Sequence, residues 1–529
     1  MRIRRISAVI IFAALAASSV MPGCAPSKKI TTTPKPAPQP LPSPSSPYVP
    51  PTPPEAPVHI LVAYPMPNQW RPYVDSNFIF GAVGNRNASL TINGYPVPVW
   101  ENGAFLAFLP MPFDGVYHLV ARRGNDVDSS TVVYRPLEKV GTAERAAIEH
   151  KTFTPPLLAE ISKGSDTLQT GNDVAPGALT PDGNREWFFP RGTRLNIIEQ
   201  EGKYYKVELD KETFAWVADT NFDIHADLKS SEHNPRGKAE ASPGYVDLIL
   251  PTDFNPFQIT PNGTELRIHI YGKSRPSLLN TQTSDPLIHS IGYDSTGLGT
   301  DFTVELTKPV WGYKAFYTDN GALDVRIRRP PHVDPNNPLR GITIMLDPGH
   351  PPGGAIGPTG LTEREANLAE ATRVRDQLTA KGAIVLMTHS DLHGIVSDYD
   401  QVEELDARSA LAVHDNVDLM VSLHNNAFPD GTDPFLNYGT STYYFHPFSA
   451  PLAAELDRAI SEVTGIPNLG SFQKSLAICR PTWMPCALTE SLYMMFPDQE
   501  AKLRDPKFLD TLAAAHVRGI ENFLREQAQ

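Results

Sequence analysis

Ile342-Thr343-Ile344-Met345-Leu346-Asp347-Pro348-Gly349-His350 reads as an apolar, β-branched strand that breaks at a turn and carries a histidine at its tip. The pattern after it decides the fold. Strand-like runs at Ile384–Met387, Leu419–Leu423, Thr440–Phe445 and around Leu488 alternate with helical stripes. Leu368, Ala371, Val374 and Leu378 share one helical face, as do Leu452, Leu456, Ile460 and Val463. A last helix carries Leu509, Ala513, His516, Ile520 and Leu524, with Asp505-Pro506 as cap and first-turn proline. This alternation predicts an α/β domain over residues 340–529, with a mostly parallel sheet covered by helices on both faces. In such sheets, sites gather at the carboxyl ends of strands.

Three strand ends carry chemistry. His350 follows the first, His424 ends Leu419–Leu423, and Glu490 ends Pro485-Cys486-Ala487-Leu488-Thr489-Glu490. Glu363 falls on the expected first turn of a helix. Two imidazoles and one carboxylate suit zinc with an open position, and a second carboxylate is then available to work a water.

The same residues carry a family resemblance. Asp347-Pro348-Gly349-His350, Glu363-Arg364-Glu365-Ala366-Asn367-Leu368, Ser422-Leu423-His424-Asn425-Asn426-Ala427 and Pro485-Cys486-Ala487-Leu488-Thr489-Glu490 occur in this order. The region from about Leu339 onward thereby resembles the zinc-dependent N-acetylmuramoyl-L-alanine amidases of the Amidase_3 type. The resemblance implies His350, Glu363 and His424 as zinc ligands and Glu490 as the catalytic carboxylate. Asp347 either orients His350 through its other ring nitrogen or serves an ordinary turn. The implied substrate is peptidoglycan, cut at the amide between N-acetylmuramic acid and L-alanine. A zinc peptidase or carboxypeptidase on wall peptides, and a non-catalytic wall-binding scaffold, are the competing readings.

Three departures from the family pattern stand out. Pro351-Pro352 replaces the usual glycine, Arg364 replaces lysine, and Ser491-Leu492-Tyr493 follows the catalytic carboxylate where Gly-Phe is common. Cys479 and Cys486 flank Pro481 and Pro485, a spacing that allows a disulfide in an oxidising compartment. The loops Pro351–Gly360 and Phe428–Asn437 are where an inhibitory element would act, and a regulatory protein partner is left open. His389, His393, His414 and His446 are read as solvent or packing residues.

At 529 residues the chain is too long for one core, and three or four domains are expected. A formal net charge of −13 argues against nucleic-acid binding, and it leaves recognition of an anionic wall to shaped sites rather than bulk charge. Arg2, Arg4 and Arg5 precede an apolar run from Ala8 to Val20, which reads as a signal peptide over residues 1–23. Met21-Pro22-Gly23-Cys24 resembles a lipobox, making Cys24 the lipidation site of an exported lipoprotein, placed at the periplasmic face of the outer membrane. From Pro34 to Pro57, 12 of 24 residues are proline, so residues 24–57 form an extended tether that reaches roughly 100 Å.

Three small all-β modules are expected between tether and enzyme. Residues 58–137 hold Leu90-Thr91-Ile92 and Tyr95-Pro96-Val97 around Asn93-Gly94, a hairpin signal, and suggest an immunoglobulin-like sandwich. His59 and His118 there are read as surface or packing residues. Residues 138–230 are similar to bacterial SH3-like domains through Gly192-Thr193-Arg194-Leu195, Tyr205-Lys206-Val207 and Phe214-Ala215-Trp216-Val217. Tyr204, Tyr205 and Trp216 either contact wall peptide or fill a barrel core. Residues 243–329 alternate with period two and resemble the β-rich localisation modules of some amidases by position. Arg328 to Pro338 is expected to link this module to the enzyme.

Overall fold

The run that opens the C-terminal region forms strand β1 (Thr343–Pro348) in a computed structural model of the chain. The structure describes residues 56–528, apart from 67–69, 72–73, 137–149, 170–172, 225–236 and 273–282. The signal-like stretch, Cys24 and nearly all of the proline-rich tether lie outside the described residues.

After β1 come α1 (Glu363–Ala380), β2 (Ile384–Met387), α2 (Gln401–His414) and β3 (Leu419–Asn426). They are followed by β4 (Thr440–Tyr444), α3 (Ala450–Thr464) and β5 (Asn468–Gln473). β6 (Cys486–Tyr493), α4 (Pro497–Arg504) and α5 (Pro506–Gln527) complete the domain. The strands lie in the order β2-β1-β3-β6-β4-β5. Every neighbouring pair is parallel except β6 with β4, so the sheet is mixed.

Strand alternation accounts for helices on both faces. Ile344, Leu346, Leu419, Val421, Leu423 and Ala487 point one way, into a core shared with Ala371 and Val374 of α1, Leu452 and Leu456 of α3, and Val517 and Ile520 of α5. Met345, Met420, Cys486 and Leu488 point the other way, against Ala412 and Val413 of α2 and against Trp483. Near-continuous apolar strands of this kind belong to sheets buried on both sides. The register brings the chemistry together: Asp347 pairs with Ser422 across β1 and β3, and His424 pairs with Glu490 across β3 and β6.

The preceding residues form antiparallel sheets. Residues 58–134 hold a three-stranded and a four-stranded sheet around Ile79, Ile92, Phe105 and Leu119. At Asn93-Gly94 both residues have positive φ, +48° and +81°, and Ile92 pairs with Tyr95, as the hairpin signal predicts. His59 and His118 are exposed. A seven-stranded sheet spans residues 150–224 over a core of Trp187, Phe189, Leu195, Ile197, Val207 and Val217. There Tyr205 packs its ring against Phe153 and Phe222, Tyr204 bonds Asp182, and Trp216 lies half-buried beneath Lys206. Two four-stranded sheets over residues 238–328 share a further core.

Arg328, expected to open a linker, instead ends a strand and is 5% exposed. Its guanidinium caps the segment entering β3 by donating to the carbonyls of Asn416, Val417 and Trp483 and to Asp418.

Candidate metal centre

The site is assembled at the carboxyl edge of β1, β3 and β6. Gly349 continues the β1 pattern by donating its N–H to the Leu423 carbonyl at 2.8 Å. A Cβ at Gly349 would meet three atoms of the His424 ring at 2.3–2.5 Å, so no other residue lets the two strand ends approach this closely. His350 then turns away with φ +65°, a left-handed conformation that is strained for a side chain of its size.

Glu363 is the first residue of α1. Thr362 caps this helix, and Glu365 closes a capping box by accepting the Thr362 N–H at 2.9 Å. Glu365 is thereby committed to the cap, and Glu363 faces inward, 5% exposed. One Glu363 oxygen lies 3.1 Å from His350 Nε2 and the other 3.1 Å from His424 Nδ1. The Glu363 carboxylate also accepts from the main-chain N–H of Ala355 and of Asn425.

His350, Glu363 and His424 offer donor atoms that all lie within 4.8 Å of one another, the one such His/Cys/Asp/Glu group among the described residues. His389, His393, His414 and His446 stay outside it. Nδ1 of His350 faces the Pro352 carbonyl at 2.8 Å. A carbonyl only accepts, so Nδ1 carries a proton, and Nε2 presents its lone pair toward a carboxylate unless a positive charge intervenes. Two imidazole nitrogens facing one carboxylate at 3.1 Å demand protons or a cation between them, and this donor set fits a metal ion with nitrogen–oxygen preference.

Electrostatics follow the same logic. Burial opposes ionisation of Glu363, yet its hydrogen bonds from His350 and His424 win and hold the carboxyl far below the usual range. Burial likewise opposes charging His350, but Glu363 raises it on balance.

Glu490 lines the same cleft, a cavity of about 290 Å³ bounded also by Pro351, Gln401, Arg408 and Leu476. Its Oε2 is buried and has no hydrogen-bond partner among the described residues. Burial, then repulsion from Glu363, pushes its carboxyl well above the ordinary value. An unpaired carboxylate poised to take a proton is unusual inside a protein and costs stability.

Asp347 does not orient His350, the first of the two roles that the sequence left open. Its carboxylate accepts from Thr388 Oγ1 at 2.7 Å, Ser422 Oγ at 2.7 Å and Arg408 Nη1 at 3.3 Å, while the Pro352 carbonyl takes the His350 ring nitrogen. Its partners lie in the sheet and α2, so Asp347 ties strand ends together. The disulfide is also absent: Cys479 and Cys486 are free and buried, with thiols facing the carbonyls of Tyr443 and Met484.

Three residues that sequence reasoning missed shape the site. Arg408, fully buried, donates to the carbonyls of Pro348 and Pro351 and to Glu404, which fixes the turn carrying His350. Glu500, equally buried, accepts from Thr359 N–H, Thr359 Oγ1 and Leu361 N–H and so folds the loop between His350 and Glu363. Asn425 donates to Asn367 Oδ1 and Glu370 and accepts from Leu492 N–H, tying β3, β6 and α1 into one unit.

The strand edge thus brings together two imidazoles and a carboxylate that could hold a metal ion, with a second carboxylate in the same cleft. Residues 344–522 match the family model described as N-acetylmuramoyl-L-alanine amidase, Amidase_3. The probable cell wall amidase LytH of Staphylococcus epidermidis is 30% identical over 194 residues, covering 36% of this chain and 60% of LytH. N-acetylmuramoyl-L-alanine amidase LytC of Bacillus subtilis is 30% identical over 195 residues, 36% of this chain and 37% of LytC. The match thus spans less than two thirds of the length of either curated relative. Among solved structures, the catalytic domain of CwlV, an amidase from Bacillus (Paenibacillus) polymyxa var. colistinus, is 28% identical. It covers 35% of this chain and 98% of that one, with a TM-score of 0.31.

Proposed function

We propose that the chain is a zinc-dependent peptidoglycan hydrolase that cuts the amide between N-acetylmuramic acid and L-alanine. One observation carries this reading: the His350, Glu363 and His424 donor atoms within 4.8 Å of one another, beside the unpaired Oε2 of Glu490 in one cleft. His350 through Nε2, Glu363 through its carboxylate and His424 through Nδ1 would hold the ion. When bound there, zinc supplies Lewis acidity toward the amide carbonyl and acidifies water. Glu490 Oε2 takes the proton of the attacking water and later delivers it to the departing amine of L-alanine. Its raised proton affinity suits the second half of that task, because a buried carboxyl keeps its proton until a stronger base forms beside it. The Pro352 carbonyl holds the His350 tautomer, and Asn425 and Asn367 hold Glu363.

The wall lies outside the cytoplasm, and the Met21–Cys24 stretch supports export with a lipid anchor at Cys24. The periplasmic face of the outer membrane is the proposed location.

The test is mass spectrometry of purified peptidoglycan after digestion, with chelator and then with zinc restored. Release of stem peptides bearing L-alanine N-termini, lost on chelation and recovered with zinc, is the expected result. New termini elsewhere in the stem would favour a zinc peptidase, and no cleavage at all would favour a wall-binding scaffold.

A further inference from the structure

A second cavity, of about 220 Å³, opens where the 150–224 sheet, the 238–328 sheets and the enzyme domain meet. Its walls are aromatic. Phe188 of the 150–224 sheet meets Phe445 of the enzyme edge to face, with ring centroids 5.7 Å apart, and Trp187 and Phe257 add further ring surface.

Thr482 contributes the telling group. Its main chain is fully engaged, donating to the Leu168 carbonyl and accepting from Tyr313 N–H. Its side chain is 2% exposed, lines the cavity, and its Oγ1 has no hydrogen-bond partner among the described residues. A buried hydroxyl left unpaired costs stability, which a ligand group would recover.

Charge selects the ligand. No lysine or arginine lines the cavity, and Glu186 is its one carboxylate. His446 is held neutral, its proton affinity lowered by burial and its Nε2 committed to the Arg480 carbonyl. Such a pocket repels the carboxylates of a stem peptide. Aromatic faces with neutral amide and hydroxyl groups suit the ring and acetamido group of an uncharged amino sugar.

Position links the two cavities. Gln473 lines this one and Leu476 lines the metal cleft, so at most about 11 Å of extended chain separates the two linings. A repeating glycan whose stem is cut in one cavity has a neighbouring sugar within reach of the other. We infer that the junction cavity is a subsite for an N-acetylated amino sugar of the glycan strand whose stem is cut at the metal centre. The inference rests on the wall-amidase reading and adds to it the polymer that the β modules help to grip.

The experiment is calorimetric titration of the whole protein with the tetramer of N-acetylglucosamine, in wild type, Phe188→Ala and Thr482→Val. Thr482→Val removes the hydroxyl and preserves shape, so it remains informative if Phe188→Ala fails to fold. The expected result is saccharide binding weakened about tenfold in either variant. With long glycan strands as substrate, KM rises and kcat holds, while turnover of a single disaccharide-peptide is unchanged. No saccharide binding to wild type, or binding in both variants as tight as in wild type, overturns the subsite, as does binding of free stem peptide that Phe188→Ala abolishes. Cleavage without saccharide binding defeats the subsite alone, whereas saccharide binding without release of L-alanine termini defeats the amidase reading alone.

Discussion

Asp166 and Arg480 form a buried ion pair between the 150–224 sheet and the enzyme domain, and it is the contact whose loss should be felt most. Asp166 is 1% exposed and Arg480 7%, with Arg480 Nη1 at 3.0 and 2.8 Å from the two Asp166 oxygens. Arg185 bonds the same carboxylate, and Asp406 stands close enough that burial and Asp166 push its carboxyl up to about 6. Asp166→Asn keeps the size and removes the charge, leaving two guanidiniums to share Asp406. Breaking one partner of a buried pair costs about 3–5 kcal/mol. The lower end applies here, because Asp406 remains and Arg185 is partly exposed. The same Arg480 donates Nε and Nη2 to Ser475, next to the Leu476–Ile478 wall of the metal cleft. Loss of the anchor should therefore loosen that wall, raising KM before it lowers kcat. Urea unfolding followed by tryptophan emission gives the stability change, and wall-turnover kinetics give the rest. Asp166→Leu combined with Arg480→Met, which removes both charges, should recover most of the loss. If Asp166→Asn costs under about 1 kcal/mol and the double variant is no better, the pair is solvated in solution and this reasoning fails.

Three further outcomes are expected. Gly349→Ala pushes a methyl into the His424 ring, which must move by about 1 Å; metal content by elemental analysis and activity should fall on the order of 10²-fold while far-ultraviolet circular dichroism is retained. Zinc at about 100 times its dissociation constant should stabilise the protein by about 2.7 kcal/mol, and a melting temperature that still rises with zinc in Glu363→Ala would place the ion elsewhere. Burial pushes the Glu370 carboxyl from 4.5 up to about 8 and His516 from 6.5 down to about 4. The folded state therefore binds the Glu370 proton more tightly, and stability from this group is lost as pH rises toward 8. His516 acts in the opposite sense only below pH 6.5. Between pH 6.5 and 8 Glu370 should thus make unfolding easier by up to about 1.4 kcal/mol per pH unit, a contribution that Glu370→Gln subtracts from the slope in denaturation series at several pH values.

The strands and helices with clean periodicity were legible from the sequence, because a sheet buried on both faces writes itself as apolar runs. Ile344 and Leu346 face one layer, and Met345 faces the other. The three strand-end residues were legible for the same reason: a polar residue that terminates an apolar run announces the edge. Helix α2 was not, since Glu404, Asp406 and Arg408 interrupt its apolar stripe with charges that read as solvated and are in fact buried. Arg408 and Glu500 illustrate what a single sequence hides, namely that a charge can be buried when distant carbonyls or N–H groups converge on it. Asp347 shows the limit of a motif, which left open whether this residue serves its histidine or a turn, whereas the sheet register hands it to Ser422.

The interfaces give the β modules a role in shaping the cleft that their sequences do not disclose. Phe78, Phe80 and Leu106 of the first sheets pack with Tyr493 and Phe496 just beyond Glu490 and with Phe428, Phe435 and Tyr438 of the loop after β3. Asn77 accepts the Gly431 N–H and donates to Asp430. The Phe428–Asn437 loop is thereby drawn onto the first module, and the lining of the metal cleft ends at Ala427. The second region holds the Ser475–Arg480 wall through Asp166. The third fixes the entry to β3 through Arg328 and through Trp311, whose Nε1 donates to the Asp418 carbonyl. The three β regions thus hold the enzyme domain at three places, of which the Ser475–Arg480 segment adjoins the lining of the metal cleft at Leu476–Ile478. A substrate strand long enough to touch those regions meets a surface whose shape depends on all of them, so changes in the modules should register as changes in substrate affinity rather than in the chemistry at Glu490.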